Sequence, residues 1–266
     1  MTLRLDQALA DRGLARSRSH AAVLIADGLV TVDGLPVAKA SLRVDDDALV
    51  EVHGADGYVS RGAHKLVAAL DAFRVDVSGR AALDMGASTG GFTQVLRERG
   101  AVPVIAVDVG HDQLSPLIRA DGGVHAVEGY NVRHMDRASL ARESGVDALP
   151  SVVTGDLSFI SLALVLPAVA AVAAPDADIV LLVKPQFEVG RTGIRGGVVV
   201  DPSLRVSATR AVLDAAWQHG LGTLGVRRSP IAGAHGNIEL LVHISPGRGG
   251  HPTEWTDTIA HEAGGR

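Results

Sequence analysis

The chain of 266 residues contains no cysteine. A disulfide framework and any metal or redox centre built on thiolates are therefore excluded. Aromatic residues make up only 3% of the sequence, which is too few for an extended platform on which single-stranded nucleic acid stacks. The net charge is -5, so a contact with nucleic acid would depend on a local basic patch rather than on a general basic field.

Long hydrophobic runs are also absent. The longest, residues 162–174, is too short to span a bilayer and contains Pro167. Arg4, Asp6 and Asp11 interrupt the N-terminal segment, so we expect no secretion signal. The hydrophobic content of 47% is nevertheless sufficient for a folded core. We therefore expect a soluble, cytoplasmic protein that does not enter the membrane.

The most informative segment, residues 84–92, follows a short apolar strand pattern and has the form acidic-x-Gly-x-x-x-Gly-Gly. Glycine lets the backbone approach a ligand closely, and a helix that begins just after such a turn directs free N–H groups towards it. The segment lacks both the lysine of ATPase phosphate loops and the G-x-G-x-x-G spacing of dinucleotide sites. An ordinary strand-to-helix turn is the alternative interpretation. We predict cofactor contacts from Asp84, Gly86, Ser88, Thr89, Gly90, Gly91 and Phe92.

From residue 61 onward, apolar strand patterns alternate with helix-length segments, which predicts a mainly parallel sheet covered on both faces. The predicted strands are residues 82–85, 102–107, 124–127, 151–154, 179–183, 222–226 and 238–244. In such sheets, ligands bind beyond the carboxyl ends of the strands, where the strand order reverses. Asp84, Asp108, Asp156 and Lys184 all fall at the ends of predicted strands. Their common position predicts one site at this edge of the sheet.

Several polar residues in this pattern are candidates for chemistry. Asp108 lies where an acidic group, about 20 residues beyond a glycine-rich turn, binds ribose hydroxyls. Asn131 follows the third strand, and both a contact with adenine and a simple turn are open interpretations. Lys184 stands between an apolar strand and a proline, which is unusual for a solvated lysine. Glu239 lies in an apolar strand and is expected to be paired. Lys65 begins a helix, where a solvated position is the alternative.

Residues 3–53 form a separate compact pattern of two short helices followed by a hairpin closed at residues 33–34. Arg12, Arg16, Arg18 and His20 form a basic cluster around the start of the second helix. Solvated helix charges are the default interpretation of such a cluster. The adjacent hairpin favours contact with nucleic-acid phosphates.

These motifs carry a resemblance. Residues 4–34 resemble the alpha-L RNA-binding fold of bacterial ribosomal proteins and RNA-modifying enzymes. Residues 60–66, 84–92, 156–162 and 184–188 are together similar to the TlyA family of bacterial rRNA (cytidine-2′-O)-methyltransferases, once described as haemolysins. The resemblance implies an α+β RNA-binding domain at residues 1–53, a linker at 54–60 and a methyltransferase domain at 61–266. The last is expected to be an α/β, Rossmann-like class I domain with a seven-stranded, mostly parallel sheet.

The resemblance also implies a reaction, the S-adenosylmethionine-dependent methylation of cytidine 2′-hydroxyls in rRNA, with an effect on sensitivity to ribosome-targeting peptide antibiotics. FtsJ-type ribose methyltransferases use a Lys-Asp-Lys-Glu tetrad, whose positions here are Lys65, Asp156, Lys184 and Glu239. S-adenosylmethionine is expected to contact Asp108, Asn131 and Asp156 besides the glycine-rich segment, and no metal is needed. Lys184 is the hypothetical general base, favoured by burial and by the charge of Lys65, although both carboxylates oppose this. The sequence leaves open which lysine is the base.

The implied partners are rRNA or ribosomal subunits, bound by a monomer. The predicted RNA contacts are Arg4, Arg12, Arg16, Arg18, Lys39, Arg61 and Arg133, the last two near the catalytic mouth. Two departures from the family pattern are His111, where an aromatic residue is common, and the acidic residue at the start of residues 56–58. The first concerns the rim of the cofactor site. The second puts in doubt any coupling between RNA binding and cofactor binding through the linker.

Three alternative functions remain at this point. A pseudouridine synthase shares the N-terminal fold but would need no cofactor turn, so binding of S-adenosylmethionine separates the two classes. A nicotinamide-dependent dehydrogenase is disfavoured by the glycine spacing. A membrane-active haemolysin is disfavoured because the chain has no spanning segment and no long basic amphipathic helix. Neither the target rRNA nor the target cytidine can be read from the sequence.

Overall fold

The computed structural model describes residues 2–15, 17–26, 28–33, 35–52, 57–190, 193–233 and 236–265. The chain divides into two compact units, Met1–Ala63 and His64–Arg266. Residues 53–56, which belong to the region expected to join the domains, lie outside the described residues. The finer boundaries at residues 53 and 60 therefore stay a prediction.

Two helices and five short strands lie among the described residues up to position 52 of the N-terminal unit. They are β1 (Thr2–Arg4), α1 (Leu5–Asp11), α2 (Arg18–Ala26), β2 (Val30–Val32), β3 (Leu35–Pro36), β4 (Arg43–Asp45) and β5 (Val50–Val52). Strand β2 pairs antiparallel with β3 and with β5, so the predicted hairpin is present, although Gly34 lies outside the described residues. The pairing of β1 with β4 was not predicted, because strands of three residues are too short to show an alternating pattern. Arg4 therefore ends a strand, directly before helix α1 begins at Leu5.

Leu5, Leu9, Ile25 and Val30 form the buried centre of this unit. Arg12 closes one side of it, because its guanidinium donates hydrogen bonds to the carbonyl oxygens of Ala48 at 2.8 Å, Asp45 at 2.9 Å and Asp46 at 3.2 Å. These bonds hold the segment between β4 and β5 against the end of α1. Arg12 thus has a structural function that the basic cluster alone did not indicate.

The C-terminal unit is built on one seven-stranded sheet, with the order β11-β12-β10-β9-β6-β7-β8. Its strands are β6 (Ala82–Met85), β7 (Val104–Val107), β8 (Val124–Val127), β9 (Val152–Gly155), β10 (Asp178–Val183), β11 (Leu221–Arg228) and β12 (Leu240–Pro246). Strands β6 to β10 run parallel, and β12 pairs antiparallel with β10 and β11. The expected α/β class and mostly parallel sheet are confirmed.

Eight helices accompany these strands among the described residues. They are α3 (Ala63–Phe73), α4 (Gly91–Glu98), α5 (Pro116–Arg119), α6 (Arg137–Ser144), α7 (Leu166–Val172), α8 (Pro185–Glu188), α9 (Pro202–Gln218) and α10 (Thr256–Gly264). Short 3₁₀ helices occupy Val132–His134, Leu162–Leu164 and Pro252–Trp255. No helix within the described ranges is long and apolar enough to cross a bilayer.

Two strands begin two residues later than predicted. Strand β7 begins at Val104 because Pro103 has no N–H to donate to the ladder. Strand β12 begins at Leu240, so Glu239 precedes the strand instead of lying inside it. The later start of β7 has little consequence for the site. The later start of β12 places the Glu239 carboxylate at the mouth of the sheet.

The strand order reverses between β6 and β9, which are parallel neighbours with Met85 opposite Gly155. The chain leaves both strands at the same edge, so the glycine-rich segment after β6 adjoins the segment after β9. Ligands of doubly wound sheets bind at such a reversal. The fold thus brings together the two segments that the sequence marked as functional.

Asp84 supports the glycine-rich segment from below. It is only 1% exposed, and its carboxylate accepts hydrogen bonds from Thr93 Oγ1 at 2.7 Å and Thr154 Oγ1 at 3.1 Å. Burial raises the pKa of Asp84 to about 7, because these hydrogen bonds offset only part of the desolvation. The carboxyl group joins β6 to α4 and to β9, and so fixes the start of the turn.

Arg205 of α9 connects the C-terminal helix to the body of the unit. It is 4% exposed, and its guanidinium donates hydrogen bonds to four carbonyl oxygens, those of Ala263, Val199, Val200 and Gly265. A buried guanidinium is tolerated because these carbonyls replace water. Removal of the side chain would leave all four carbonyls without this donor.

We predict that the stability of the free protein falls, relative to an Asp84→Asn variant, as pH rises from about 4 to about 7. A carboxyl group with a raised pKa in the folded state binds its proton more tightly there than in the unfolded chain, so deprotonation favours unfolding. The difference is on the order of a few kcal/mol and levels off above pH 7. Urea unfolding of both proteins at each pH measures it. A difference that does not change between pH 4 and 7 would contradict this protonation.

Arg205→Met should lower the free energy of unfolding by roughly 2–4 kcal/mol, since buried carbonyls lose their donor. Arg210→Met on the same helix is the matched control, because Arg210 is only partly buried, pairs with Asp214 and has one hydrogen bond to the first residue of α10, with Thr256 Oγ1 at 3.3 Å. Its expected cost is below about 0.5 kcal/mol. Equal losses in the two variants, measured by urea unfolding, would show that Arg205 does not anchor the C-terminal helix.

Candidate active site

Four charged side chains meet at the carboxyl edge of the sheet: Lys65, Asp156, Lys184 and Glu239. Asp156 lies between the two lysines, with Oδ2 at 3.6 Å from Lys65 Nζ and Oδ1 at 2.5 Å from Lys184 Nζ. Glu239 Oε2 accepts a hydrogen bond from Lys65 Nζ at 2.7 Å. The four residues predicted as a tetrad therefore form one continuous chain of ion pairs.

Each member of the tetrad comes from a different element. Lys65 lies on the first turn of α3, Asp156 follows β9, Lys184 follows β10 and Glu239 precedes β12. The Glu239 carboxylate lies directly against the backbone of Gly233, where a Cβ atom would fall 2.0 Å from Oε1. A glycine is therefore required at position 233 if Glu239 is to reach Lys65.

The tetrad is shielded from water and electrically balanced. Lys65, Lys184 and Glu239 are each less than a tenth exposed. Burial on its own would raise the pKa of Asp156, but the charges of Lys65 and Lys184 lower it below its ordinary value. Asp156 is therefore an ionised carboxylate, and two positive charges are opposed by two negative charges.

Lys184 has a second contact that the sequence did not indicate. Its Nζ donates a hydrogen bond to Ser158 Oγ at 2.8 Å. Ser158 follows Asp156 by two residues and also lines the neighbouring cavity. In the sequence, Ser158 stands out only as a member of the family motif at residues 156–162, because a serine in a loop carries no signal of its own.

The segments after β9 and β10 are held together beyond the ion pairs. The Glu188 carboxylate accepts hydrogen bonds from Ser161 Oγ at 2.6 Å and from the Leu162 N–H at 2.9 Å. Burial raises the pKa of Glu188 despite these two bonds. The rings of Phe159 and Phe187 lie with centroids 5.1 Å apart. Lys184 and Asp156 are therefore presented by two loops that are linked along their length.

A cavity of about 550 Å³ adjoins Asp156, which is within the roughly 300–1,000 Å³ range of small-molecule sites. Five of the predicted cofactor residues line it, namely Gly86, Ser88, Asp108, Asn131 and Asp156. Gly86 has φ +77, and a Cβ atom there would lie 3.1 Å from Leu157 and 3.2 Å from the Asp156 carbonyl oxygen. The absence of a side chain at position 86 allows the two strand-end segments to form the cavity floor.

Asp108 also lines this cavity. Its two carboxylate oxygens accept hydrogen bonds from the N–H groups of Ser88 and Gly110, both at 2.8 Å. These bonds hold the carboxylate on the cavity wall, where it has remaining acceptor capacity for hydroxyl groups. The cavity thus carries two carboxylates, those of Asp108 and Asp156, on a lining that also includes apolar side chains, which fits a nucleoside joined to a positively charged group.

Not all predicted cofactor residues reach the cavity. Asp84, Thr89, Gly90, Gly91 and Phe92 are not among its lining residues, and Asp84 and Phe92 are buried beneath the turn. Their contacts with a cofactor stay a prediction. Several lining residues were not predicted as cofactor contacts, because most are apolar and none carries a signal of its own in the sequence. They are Val107, Val109, Gln113, Tyr130, Val132, Leu157, Ser158, Phe159 and Ile160.

The predicted RNA contacts are spread over both units. Arg4 and Arg18 both pair with Asp6, at 2.9 Å and 3.4 Å, while Lys39 is exposed. Arg61 belongs to the N-terminal unit, where its guanidinium packs over Gly28. Arg133 is exposed beside Asn131 in the C-terminal unit. Arg16 lies outside the described residues.

Comparisons with known proteins agree with this arrangement. Residues 58–245 match the FtsJ-like methyltransferase family, and residues 3–50 match the S4 domain. The chain is 50% identical, over 91% of its length and 89% of the relative, to the 16S/23S rRNA (cytidine-2′-O)-methyltransferase TlyA of Mycobacterium tuberculosis. It is 36% identical to Hemolysin A of Brachyspira hyodysenteriae, over 91% of this chain and 99% of the relative.

A solved structure from Streptococcus thermophilus that carries the name hemolysin superposes with a TM-score of 0.75. It is 37% identical and covers 98% of this chain and 95% of its own. The tetrad, the cavity beside it and these similarities lead to one assignment. The chain belongs to the FtsJ-like methyltransferase family and, within it, to the TlyA proteins, with an S4 domain at its N-terminus.

Proposed function

We propose that the protein methylates the 2′-hydroxyl of cytidine in rRNA, with S-adenosylmethionine as the methyl donor. The observation that carries this proposal is the chain of ion pairs Glu239–Lys65–Asp156–Lys184 beside the cavity. A ribose hydroxyl is a poor nucleophile at neutral pH, so the site must accept its proton. A buried lysine next to a nucleoside-sized cavity provides that group.

The residues that line the cavity suit S-adenosylmethionine. Asp108, Asn131 and Asp156 all line it, and in this proposal they bind the ribose hydroxyls, the adenine edge and the methionine end, respectively. When bound, the cofactor supplies an activated methyl group on a sulfonium. The protein needs only to hold the acceptor oxygen in line with that methyl group and to remove the proton.

The environments of the two lysines favour Lys184 as the general base. Lys65 contacts two carboxylates, those of Glu239 and Asp156. Lys184 contacts a single carboxylate and the neutral hydroxyl of Ser158. A neutral amine is less disfavoured beside one carboxylate than beside two. Lys65 then keeps Asp156 oriented, and Lys184 accepts the proton of the ribose hydroxyl.

The use of lysine at these two positions supports this assignment. The chain has 25 basic residues, of which only Lys39, Lys65 and Lys184 are lysines. Two of the three are buried in the tetrad. Arginine stays charged at all relevant pH values, whereas a buried lysine can lose its proton. A chain that uses arginine almost everywhere else therefore retains lysine where a proton must be exchanged.

The N-terminal unit provides the contact with rRNA. The positive side chains of Arg16, Arg18 and Lys39 would bind phosphates of the rRNA. Such contacts position the protein on the RNA but do not recognise a particular nucleotide sequence. The relative from Mycobacterium tuberculosis is named for 16S and 23S rRNA, and one from Campylobacter jejuni, 34% identical over 70% of this chain, for 23S rRNA alone. Primer extension on both ribosomal subunits, after incubation with labelled cofactor, identifies the target.

We also propose that the protein acts as a monomer in the cytoplasm, where ribosomal subunits are available, and that Arg61 and Arg133 contact RNA near the reacting ribose. Loss of the methyl groups is expected to change sensitivity to peptide antibiotics that bind the ribosome. Arg61 belongs to the N-terminal unit, three residues before the C-terminal unit begins in the chain, Arg133 is an exposed residue of the C-terminal unit, and neither is a member of the tetrad.

Lys184→Arg keeps the positive charge, but a guanidinium does not become neutral and so cannot accept the proton of the ribose hydroxyl. We therefore expect methyl transfer to fall by about 10²–10⁴-fold. Single-turnover transfer of labelled methyl groups to ribosomal subunits measures this. Arg142→Lys, an exposed substitution on α6, is the control and should keep the full rate. If Lys184→Arg folds, binds S-adenosylmethionine and keeps the wild-type rate, Lys184 is not the base.

Charge reversal at Arg16 and Arg18 should weaken binding to ribosomal subunits, with a smaller dependence on salt, because phosphate contacts are lost. Binding of S-adenosylmethionine, measured by calorimetry, should be unchanged, since the cofactor cavity lies within the C-terminal unit. Parallel loss of both affinities would instead indicate misfolding of the variant.

A further inference from the structure

The two lysines of the tetrad differ in one partner. Lys65 Nζ has two carboxylate neighbours, with Glu239 at 2.7 Å and Asp156 at 3.6 Å. Lys184 Nζ has one carboxylate neighbour, Asp156, and one hydroxyl neighbour, Ser158 Oγ at 2.8 Å. Ser158 therefore occupies beside Lys184 the position that a second carboxylate occupies beside Lys65.

This difference matters for a group that must accept a proton. A neutral primary amine has two N–H bonds and one lone pair. Lys184 Nζ donates one N–H to Ser158 Oγ and lies against the Asp156 carboxylate in an ion pair, so these two contacts restrict the directions left for the lone pair. A carboxylate in place of the hydroxyl would give the same orientation but would also stabilise the cation. The hydroxyl orients the amine without adding negative charge.

Ser158 is also well placed for this purpose. It lines the cofactor cavity together with Asp156, so both groups that contact the Lys184 amine belong to the cavity wall. The loop that carries it is anchored three residues later, where Ser161 and Leu162 bind Glu188. The Ser158 hydroxyl is thus held by its hydrogen bond with Lys184 on one side and by the anchored segment 161–162 on the other.

We propose that Ser158 is a positioning residue that aims the lone pair of Lys184 at the acceptor 2′-hydroxyl. The inference rests on the proposed function. Lys184 takes the proton of the hydroxyl while the oxygen–methyl bond forms and the methyl–sulfur bond breaks, so the positive charge of the sulfonium ends on the Lys184 ammonium. The charged groups that face Lys184 are Asp156 directly and, behind it, Lys65 and Glu239.

The first test compares Ser158→Ala with Ser158→Thr in single-turnover methyl transfer at saturating cofactor and ribosomal subunits. Ser158→Ala should be about 10- to 100-fold slower, because the base is present but misdirected. Ser158→Thr retains the hydroxyl and should recover most of the rate. The affinity for S-adenosylmethionine should be the same in both variants. Ser207→Ala, an exposed substitution on α9, is the control.

The second test does not depend on activity. Reductive methylation modifies only neutral amines, and the chain has three lysines, so peptide mass spectrometry follows each of them in the free protein. Ser158→Asp places a second carboxylate at Lys184 and should slow its modification at least about tenfold relative to exposed Lys39. The modification of Lys65 should not change. The acidic limb of the pH–rate profile should move to higher pH in the same variant.

Three results would overturn the proposal: a wild-type rate in Ser158→Ala, no recovery in Ser158→Thr, or unchanged modification of Lys184 in Ser158→Asp. Failure of the proposed function is distinguishable. In that case the wild-type protein itself forms no 2′-O-methylcytidine, whereas the modification experiment still reports whether Ser158 controls the Lys184 amine.

Discussion

The carboxylate of Asp156, held between two buried lysines, is the interaction on which the rest of the site depends. Burial of an isolated charge is costly, and a buried pair is tolerated only when its partners are well placed. Asp156 satisfies Lys65 and Lys184 at once, and Glu239 supplies the second negative charge. Removal of Asp156 would leave two cations close together with a single counter-charge. The loops after β9 and β10 are consequently tied to one geometry.

That geometry follows from the order of the strands. The reversal between β6 and β9 places the glycine-rich turn beside Asp156, and β10 brings Lys184 to the same edge. The antiparallel strand β12 approaches from the opposite direction, so Glu239 enters the site just before its strand begins. Helix α3 precedes the sheet in the chain and contributes Lys65 from its first turn. Four segments that are distant in sequence thus meet at one edge of the sheet.

Much of this could be predicted from the sequence. Apolar runs followed by Asp156 and Lys184 revealed both the parallel strands and the edge at which the site lies, because strand ends are marked by an abrupt change from apolar to polar residues. The tetrad itself came from resemblance to a family, since nothing in the spacing of Lys65 and Glu239 shows that they meet. Their hydrogen bond joins residues separated by 174 positions. Contacts of that kind depend on tertiary packing.

The rest could not be predicted for definite physical reasons. Arg12 was predicted as a phosphate contact, and its hydrogen bonds to backbone carbonyls add a structural function that its residue type alone does not reveal, because a guanidinium serves either purpose. Asp84 was predicted as a contact of the cofactor, which stays a prediction, and its burial and its hydrogen bond with Thr93 show in addition that it supports the turn from within the core. Tyr130 and Gln113 line the cavity without belonging to any motif. In each case the residue type was informative and the direction of its side chain was not.

The central claim is that this site delivers a methyl group to a ribose oxygen. The most direct test is mass spectrometry of the nucleosides released from ribosomal subunits after incubation with the protein and deuterated S-adenosylmethionine. The account predicts that the deuterated methyl group is found in 2′-O-methylcytidine alone. Label on a nucleobase, or on a ribose other than that of cytidine, would contradict it.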